Sequence, residues 1–315
     1  MPVPTLLDIA KKNGSDPVVG LIDETTKAHP EITRVAARTI KGLSFKTWVR
    51  TGLPATGFRN ANEGGIVDHS KFENRNVDTF LFNPRIEVDK AVADGDEDGA
   101  QAYLAYEMEG TLESSFQTLG RQFYYGRNTN GDAKGHPGLI DSVNSAYVYN
   151  AAGTTANTAT SVWGIKTGEK LVQWIWGANG QFTPSDVMIQ RVTDANNKPY
   201  TAYIQEILAR PGLQVGNTRA AGCIKNITND AGCTLTDAII ESWLAQFEVG
   251  WLPEVIFMSR RARAQLQKSR TVVLYASGNA KANGAMGNVA PTPTTTAGGI
   301  PIEVTDSISD TEALR

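Results

Sequence analysis

Residues 94–110, DGDEDGAQAYLAYEMEG, place four carboxylates within their first five positions. Asp94, Asp96 and Asp98 alternate and Gly99 follows. This is how a calcium loop opens, with acidic oxygens converging on a hard cation and a glycine permitting the sharp turn. The second half lacks the oxygens. The ninth position is Ala102, and the twelfth, where a bidentate Glu should close the site, is Ala105. The other chemistry open to this run is electrostatic, because carboxylates in a first helical turn face the partial positive charge of the exposed amides. The run is therefore read as the charged start of a long helix.

Other reactive groups are few and scattered. Cys223 and Cys233 bound CIKNITNDAGC, and His29, His69 and His136 all lie far from them in sequence. Zinc requires four ligands, so the pair makes half a site at best, and two reduced thiols are the default. Asn226 fits the N-x-S/T glycosylation pattern, which matters only on a secretory route. There is no G-x-S-x-G turn, no H-E-x-x-H, and no Gly-rich loop ending in Lys-Ser/Thr. The glycine-rich GNAKANGAMG does not end in the Lys-Ser/Thr pair that holds phosphate and magnesium. An enzyme is disfavoured, and no metal or cofactor is expected.

The 315 residues, 41% of them hydrophobic, suffice for one large or two ordinary domains with a real core. Lys plus Arg total 30 against 33 Asp plus Glu, and the net charge of −3 gives no general attraction to nucleic acid or anionic membrane. No apolar run approaches the roughly 20 residues of a membrane span. MPVPTLLDIAKKNG lacks an export signal, so folding in cytoplasm is expected.

Several elements can be placed. Residues 1–40 carry weak apolar periodicity, with Leu6, Leu7 and Ile9 followed by Val18, Val19, Leu21 and Ile22, and read as an arm. Leu43, Phe45 and Val49 alternate with polar residues before TGLP, which predicts a hairpin about a glycine-proline turn. Its Trp48 and Phe58 need cover, because an isolated hairpin is marginal in water. Leu104, Met108, Leu112, Phe116, Leu119 and Phe123 recur every three or four residues and predict one helix from Asp96 to about Tyr125. His136, in the glycine- and proline-rich turn that follows, is expected to be solvated or capping.

Residues 160–226 read as β-rich, with strands in KLVQWIW, SDVMIQRV and YTAYIQEIL. Trp163, Trp174 and Trp176 could form a sugar platform, but no polar partners accompany them and a core role is favoured. TLTDAIIESWLAQF opens with a helix-start signal and sets Ile240, Trp243, Leu244 and Phe247 on one face. EVIFMS reads as a buried strand. RRARAQLQKSR carries Arg260, Arg261, Arg263, Lys268 and Arg270; a solvated helix face is the default, with subunit or phosphate contact as the alternative. TVVLY is strand-like, Ser277–Gly299 reads as a long functional or mobile loop, and GIPIEVTDSIS predicts a closing strand.

The order of these parts resembles the major capsid protein of tailed bacteriophages, with the Hong Kong 97-type fold, and within it the subfamily from short-tailed phages of the epsilon-15 kind. The resemblance runs over nearly the whole chain. It rests on RTGLPATGFRNANEG (50–64), RQFYYGRNTNGDAKGHPGLID (121–141), GLQVGNTRAAGCIKNI (212–227), LPEVIFMSRRARAQL (252–266) and GGIPIEVTDSI (298–308) in that order.

The resemblance implies an α+β Hong Kong 97-type phage capsid fold with an N-terminal arm (1–40) and an extended-loop hairpin (41–76). A peripheral domain with the spine helix (77–150, helix about 96–125, completed by 300–315), a β-rich segment or insertion (160–226) and an axial domain (227–299) would follow. Lys46, Trp48, Arg50, Leu53, Phe58, Arg59, Asn60 and Glu63 would lie on the extended loop and touch neighbouring subunits. Lys46 has the residue type used by family members that cross-link, but no acceptor and acid constellation accompanies it, so no cross-link is expected. The partners implied are other copies in hexamers and pentamers, a separate scaffolding protein, a portal, a decoration protein in some shells, and packaged double-stranded DNA; no membrane. The alternatives are an encapsulin-like compartment and, in another class, a carbohydrate-binding or carbohydrate-active β-rich protein.

Overall fold

The computed structural model describes residues 24–180, 182–270 and 295–315. The arm's apolar residues up to Ile22, the TVVLY strand and most of the Ser277–Gly299 stretch lie outside them. The apolar spacing from Leu104 to Phe123 does form one helix, Ala100–Tyr125, of 26 residues, about 39 Å long at 1.5 Å per residue. Its two halves enter different cores. Leu104 and Met108 pack with Ile86, Val88, Tyr203 and Ile207, whereas Leu119 and Phe123 pack with Trp163, Trp174 and Phe257. Phe123 is wholly buried, which stabilises by about 1.5–3 kcal/mol relative to leaving it exposed. Phe182 touches both cores and stacks on Phe116 at 5.8 Å between ring centroids.

The helix begins later than the sequence suggests, and the carboxylates do not start it. Gly99 stands at the N-cap with φ +88, and the first turn contains no acidic residue. That backbone angle is cheap only for glycine and breaks the chain away from the preceding short helix, Lys90–Ala93. The carboxylates serve the intervening turn. Asp96 accepts the amide of Asp98 at 2.9 Å, and Asp94 pairs with Lys90 Nζ at 2.6 Å while accepting the Tyr203 hydroxyl at 3.1 Å.

The central sheet has six strands in the order Thr296–Ala297, Ile300–Val304, Val255–Met258, Thr160–Ile165, Ala221–Ile227, Val148–Asn150. Thr160–Ile165 is buried along its whole length, so its side chains alternate between two apolar faces. Trp163 and Ile165, with Val255, Phe257 and Cys223, face the C-terminal half of the long helix. Val162, with Ile224, Ile256 and Met258, faces Ile240, Trp243 and Leu244 of the helix Asp237–Leu244 and Leu266 of the helix Arg260–Ser269. The first of these helices is capped by Thr236, whose hydroxyl oxygen accepts the Ile239 amide.

Residues 160–226 do not form a unit of their own; their strands enter three sheets. Val172–Trp176 pairs with Ala37–Thr39 and Pro211–Val215. Met188–Thr193 and Pro199–Glu206 join Arg85–Asp89 beside the N-terminal half of the long helix. Trp163 and Trp174 are buried core residues and Trp176 is partly covered.

Three further expectations need correction. His136 is buried, not solvated: its ring packs edge-on to Trp174 and its Nδ1 lies 2.9 Å from Pro137 O, while Gln122 Nε2 donates to its carbonyl at 2.7 Å. Burial lowers its pKa to about 4. The closing strand is not the end of the structure, because the chain runs on to bury Glu312, whose Oε1 accepts Tyr125 OH at 2.7 Å and Ser161 Oγ at 2.6 Å. The N-terminal segment is also anchored. Glu31 is fully buried and accepts from Thr305 Oγ1 at 2.9 Å and Ser307 Oγ at 2.5 Å, in space that a Cβ on Gly120 would occupy.

Candidate functional site

The hairpin consists of Ser44–Gly52 and Lys71–Asp78, antiparallel, with Ser44 opposite Asp78 and Gly52 opposite Lys71. TGLP ends the first strand but does not turn the chain back into the second. Residues 53–70 intervene without regular structure; Pro54, which lacks an N–H, cannot donate to the ladder. Asp68 pins the two limbs of this excursion by accepting the Ala55 amide at 2.8 Å. That bond and the His69 amide hold its carboxyl below the usual carboxylate range. At the tip, Arg59 Nη1 donates to Glu63 O at 2.7 Å and the Asn60 amide to Glu63 Oε2 at 3.1 Å, so three of the predicted interface residues shape one turn.

Alternation along the first strand sorts the rest. Phe45, Thr47 and Val49 are half-buried, while Lys46, Trp48 and Arg50 share the exposed face. Trp48, 72% exposed, stacks on Phe72 of the second strand at 4.2 Å, and the Arg50 guanidinium lies over Phe72 at 5.5 Å. Leu53 is exposed, Phe58 fully so, and Ile66 and Val67 join them on the return limb. Phe72, Ile66, Val67 and Asp68 were not singled out from sequence. The alternation of Phe72 with charged neighbours in KFENRNVD carried that signal.

The basic helix is a different case. Arg260 pairs with Asp306 at 2.9 Å, Arg261 donates to Thr158 O at 2.6 Å and lies 3.5 Å from Asp310, and Arg270 clasps Asp237 with both Nε and Nη2. These three hold the helix to its own chain. Arg263 and Lys268 lie on the same helix. Of the cysteines, Cys223 is buried, which pushes its thiol up to about 12, and both are free. Asn226 of the glycosylation pattern is buried and exchanges hydrogen bonds with the Arg315 backbone. Among the described residues no group of three or more His, Cys, Asp or Glu is placed to hold a metal.

The hairpin thus carries an aromatic face that its own chain leaves uncovered, and the long helix spans two cores. A family model for the major capsid protein GP7 matches residues 11–315. The chain belongs to that family. This capsid protein is similar over its whole length, and over 98% of the other chain, to one from bacteriophage Epsilon15 determined by cryo-microscopy, at TM-score 0.74 and 21% identity. The fold is thus the Hong Kong 97 type expected. Looser likenesses are to the capsid of Myoviridae phage XM1 (TM-score 0.49, 10% identity, 68% of this chain and 97% of that one) and to the SrpI encapsulin of Synechococcus elongatus PCC 7942 (0.48, 9%, 72% and 97%). No curated protein matches this capsid protein. Its role is structural and its place is the virion.

Proposed function

We propose that copies of this capsid protein assemble as hexamers and pentamers into an icosahedral shell around the double-stranded DNA of a tailed phage. The uncovered hairpin face supports this reading. Trp48, Phe58 and Val67 expose large apolar surface, and in a member of a capsid protein family such a face suits a contact between copies. In this assignment residues 41–76 are the extended loop and Lys46, Trp48, Arg50, Leu53, Phe58, Arg59, Asn60 and Glu63 touch a neighbour. The long helix is the spine of the peripheral domain, and the sheet face that carries Asp237–Leu244 belongs to the axial domain. Repetition of one modest contact around symmetry axes accumulates into a stable closed shell. Assembly takes place in the bacterial host cytoplasm with a separate scaffolding protein and a portal. The protein acts as a container and carries out no catalysis.

The test is the assembly state of the purified full chain, followed by gel filtration and electron microscopy, with Trp48→Ser and Phe58→Ser beside it. Capsomers or shells are expected, lost in the variants while their thermal unfolding matches wild type. A wild-type chain that stays monomeric at high concentration overturns the proposal.

A further inference from the structure

The long helix and the strand Val172–Trp176 leave an apolar hole of about 170 Å³ between them. Four aromatic rings line it, those of Phe116, Trp174, Trp176 and Phe182, with Ile32 and Leu119. Phe182 ties the wall together, 5.8 Å from Phe116 and 5.7 Å from Trp176 between ring centroids. Thr39, opposite Trp176 in the parallel pair, supplies a hydroxyl, and among the described residues no charged side chain lines the hole. Phe116, Trp176 and Phe182 are only half-buried, so the hole has a mouth. An apolar cavity of about 150 Å³ takes a benzene ring. This hole therefore has the size and the lining for one aromatic side chain, and its walls forgo dispersion contacts until one enters.

The hairpin carries such a side chain. Trp48 and Phe72 stack on each other, whereas Phe58 is fully exposed. The turn that follows it is stiffened, because Arg59 donates to Glu63 O and the Asn60 amide to Glu63 Oε2. A ring presented on a fixed turn loses little freedom when it binds.

Ring and hole do not meet within one chain. The hole lies at the root of the hairpin, where Trp176 O accepts the Ile40 amide and Gly42 O accepts the Ala178 amide. From that root the nine-residue strand Ser44–Gly52 carries the chain about 26 Å away, and its far end lies beside Asn217–Arg219. Six residues separate Gly52 from Phe58, and Asp68 pins their limb at Ala55. The ring thus stands at one end of the hairpin and the hole at the other.

We propose that Phe58 of one copy fills the hole at the hairpin root of the next copy. This rests on the reading of the chain as a self-assembling capsid protein, which supplies a second copy as the occupant, and it adds where the tip lands. Because the two halves of the contact lie on different parts of the surface, the interface is head-to-tail. Interfaces of that kind close into rings when the rotation between copies permits.

The experiment is sedimentation of the purified full chain over a range of concentrations, for wild type, Phe58→Ser, Thr39→Asp and an equimolar mixture of the two variants. Thr39 is exposed on an edge strand, so its change sets a charge at the hole without touching a core. Thr39→Trp blocks the hole by volume instead, and thermal unfolding verifies the fold of each variant. Each variant alone is expected to need about a tenfold or greater concentration to form capsomers, the effect of denying a phenyl ring its burial. The mixture is expected to form one-to-one pairs, because the tip of the Thr39→Asp chain still fits the hole of the Phe58→Ser chain while the other two ends are spoiled. Capsomers of Thr39→Asp and Thr39→Trp at wild-type concentrations, or a mixture without pairs, overturn the proposal, leave self-assembly standing and hand the hole to another occupant such as a small apolar molecule. A wild-type chain that stays monomeric overturns the assembly reading and this inference with it.

Discussion

Tyr125 donates its hydroxyl to Glu312 at 2.7 Å across 187 residues of sequence, and the same hydroxyl accepts the Ser309 amide at 2.7 Å. Ser161 completes the set at Glu312 Oε1, and Arg315 lies 2.8 Å from Oε2. The C-terminal segment is therefore held to the long helix by one buried polar junction. Tyr125→Phe leaves the Ser309 amide without its acceptor and removes a donor from a buried carboxylate. A loss of about 1–3 kcal/mol is expected, read as a lower midpoint in urea unfolding; an unchanged midpoint contradicts the role given to the junction.

Two glycines on one helix should respond in opposite directions. A Cβ on Gly110 meets nothing within 4 Å, whereas a Cβ on Gly120 would collide with Ser307, Glu31 and His29. Gly110→Ala is expected to raise stability by up to about 1 kcal/mol through helix propensity alone. Gly120→Ala must displace the buried Glu31 and is expected to lower it. Paired thermal melts decide, and a stabilising Gly120→Ala would show that the N-terminal segment does not rest on the helix.

His136 makes stability depend on pH. Its folded pKa, lowered by burial to about 4, lies below the ordinary value of 6.5, so the unfolded chain binds the proton first as pH falls. The contribution is full above pH 6.5, is lost progressively down to about pH 4, and amounts to about 3 kcal/mol over that window. Unfolding free energies measured across it should fall in wild type and lose this component in His136→Phe. Identical pH profiles would mean that the ring is solvated.

Removing metal should change nothing. Asp94 is engaged with Lys90 and Tyr203, and Asp96 with the Asp98 amide. Assembly in the presence of EDTA is expected to match assembly without it, and the triple change of Asp94, Asp96 and Asp98 to Asn should leave that insensitivity intact. Shells that dissolve on chelation would reinstate a cation at this turn.

What the sequence made legible was periodic or local. The stripe from Leu104 to Phe123, the alternation around Trp48 and the apolar face of Ile240, Trp243 and Leu244 all report burial through spacing, and the structure places them accordingly. The hairpin's length was not readable, because TGLP has the composition of a tight turn while the partner strand begins only at Lys71. The burial of Glu31, Glu312 and His136 was hidden for another reason. Glu31 and Glu312 find their partners in segments far apart in sequence and His136 is covered by Trp174, and a charged or titratable residue in isolation reads as solvated until those segments meet. The helix start moved because a single glycine conformation outweighed the charge pattern before it.

The parallel pairing of Ile256, Phe257 and Met258 with Ile302, Glu303 and Val304 imposes an order in time. A ribosome adding about 5–20 residues per second delivers the Trp48 strand on the order of ten seconds or more before the strand that completes the sheet. Throughout that interval the nascent chain displays a sticky hairpin on an unfinished body.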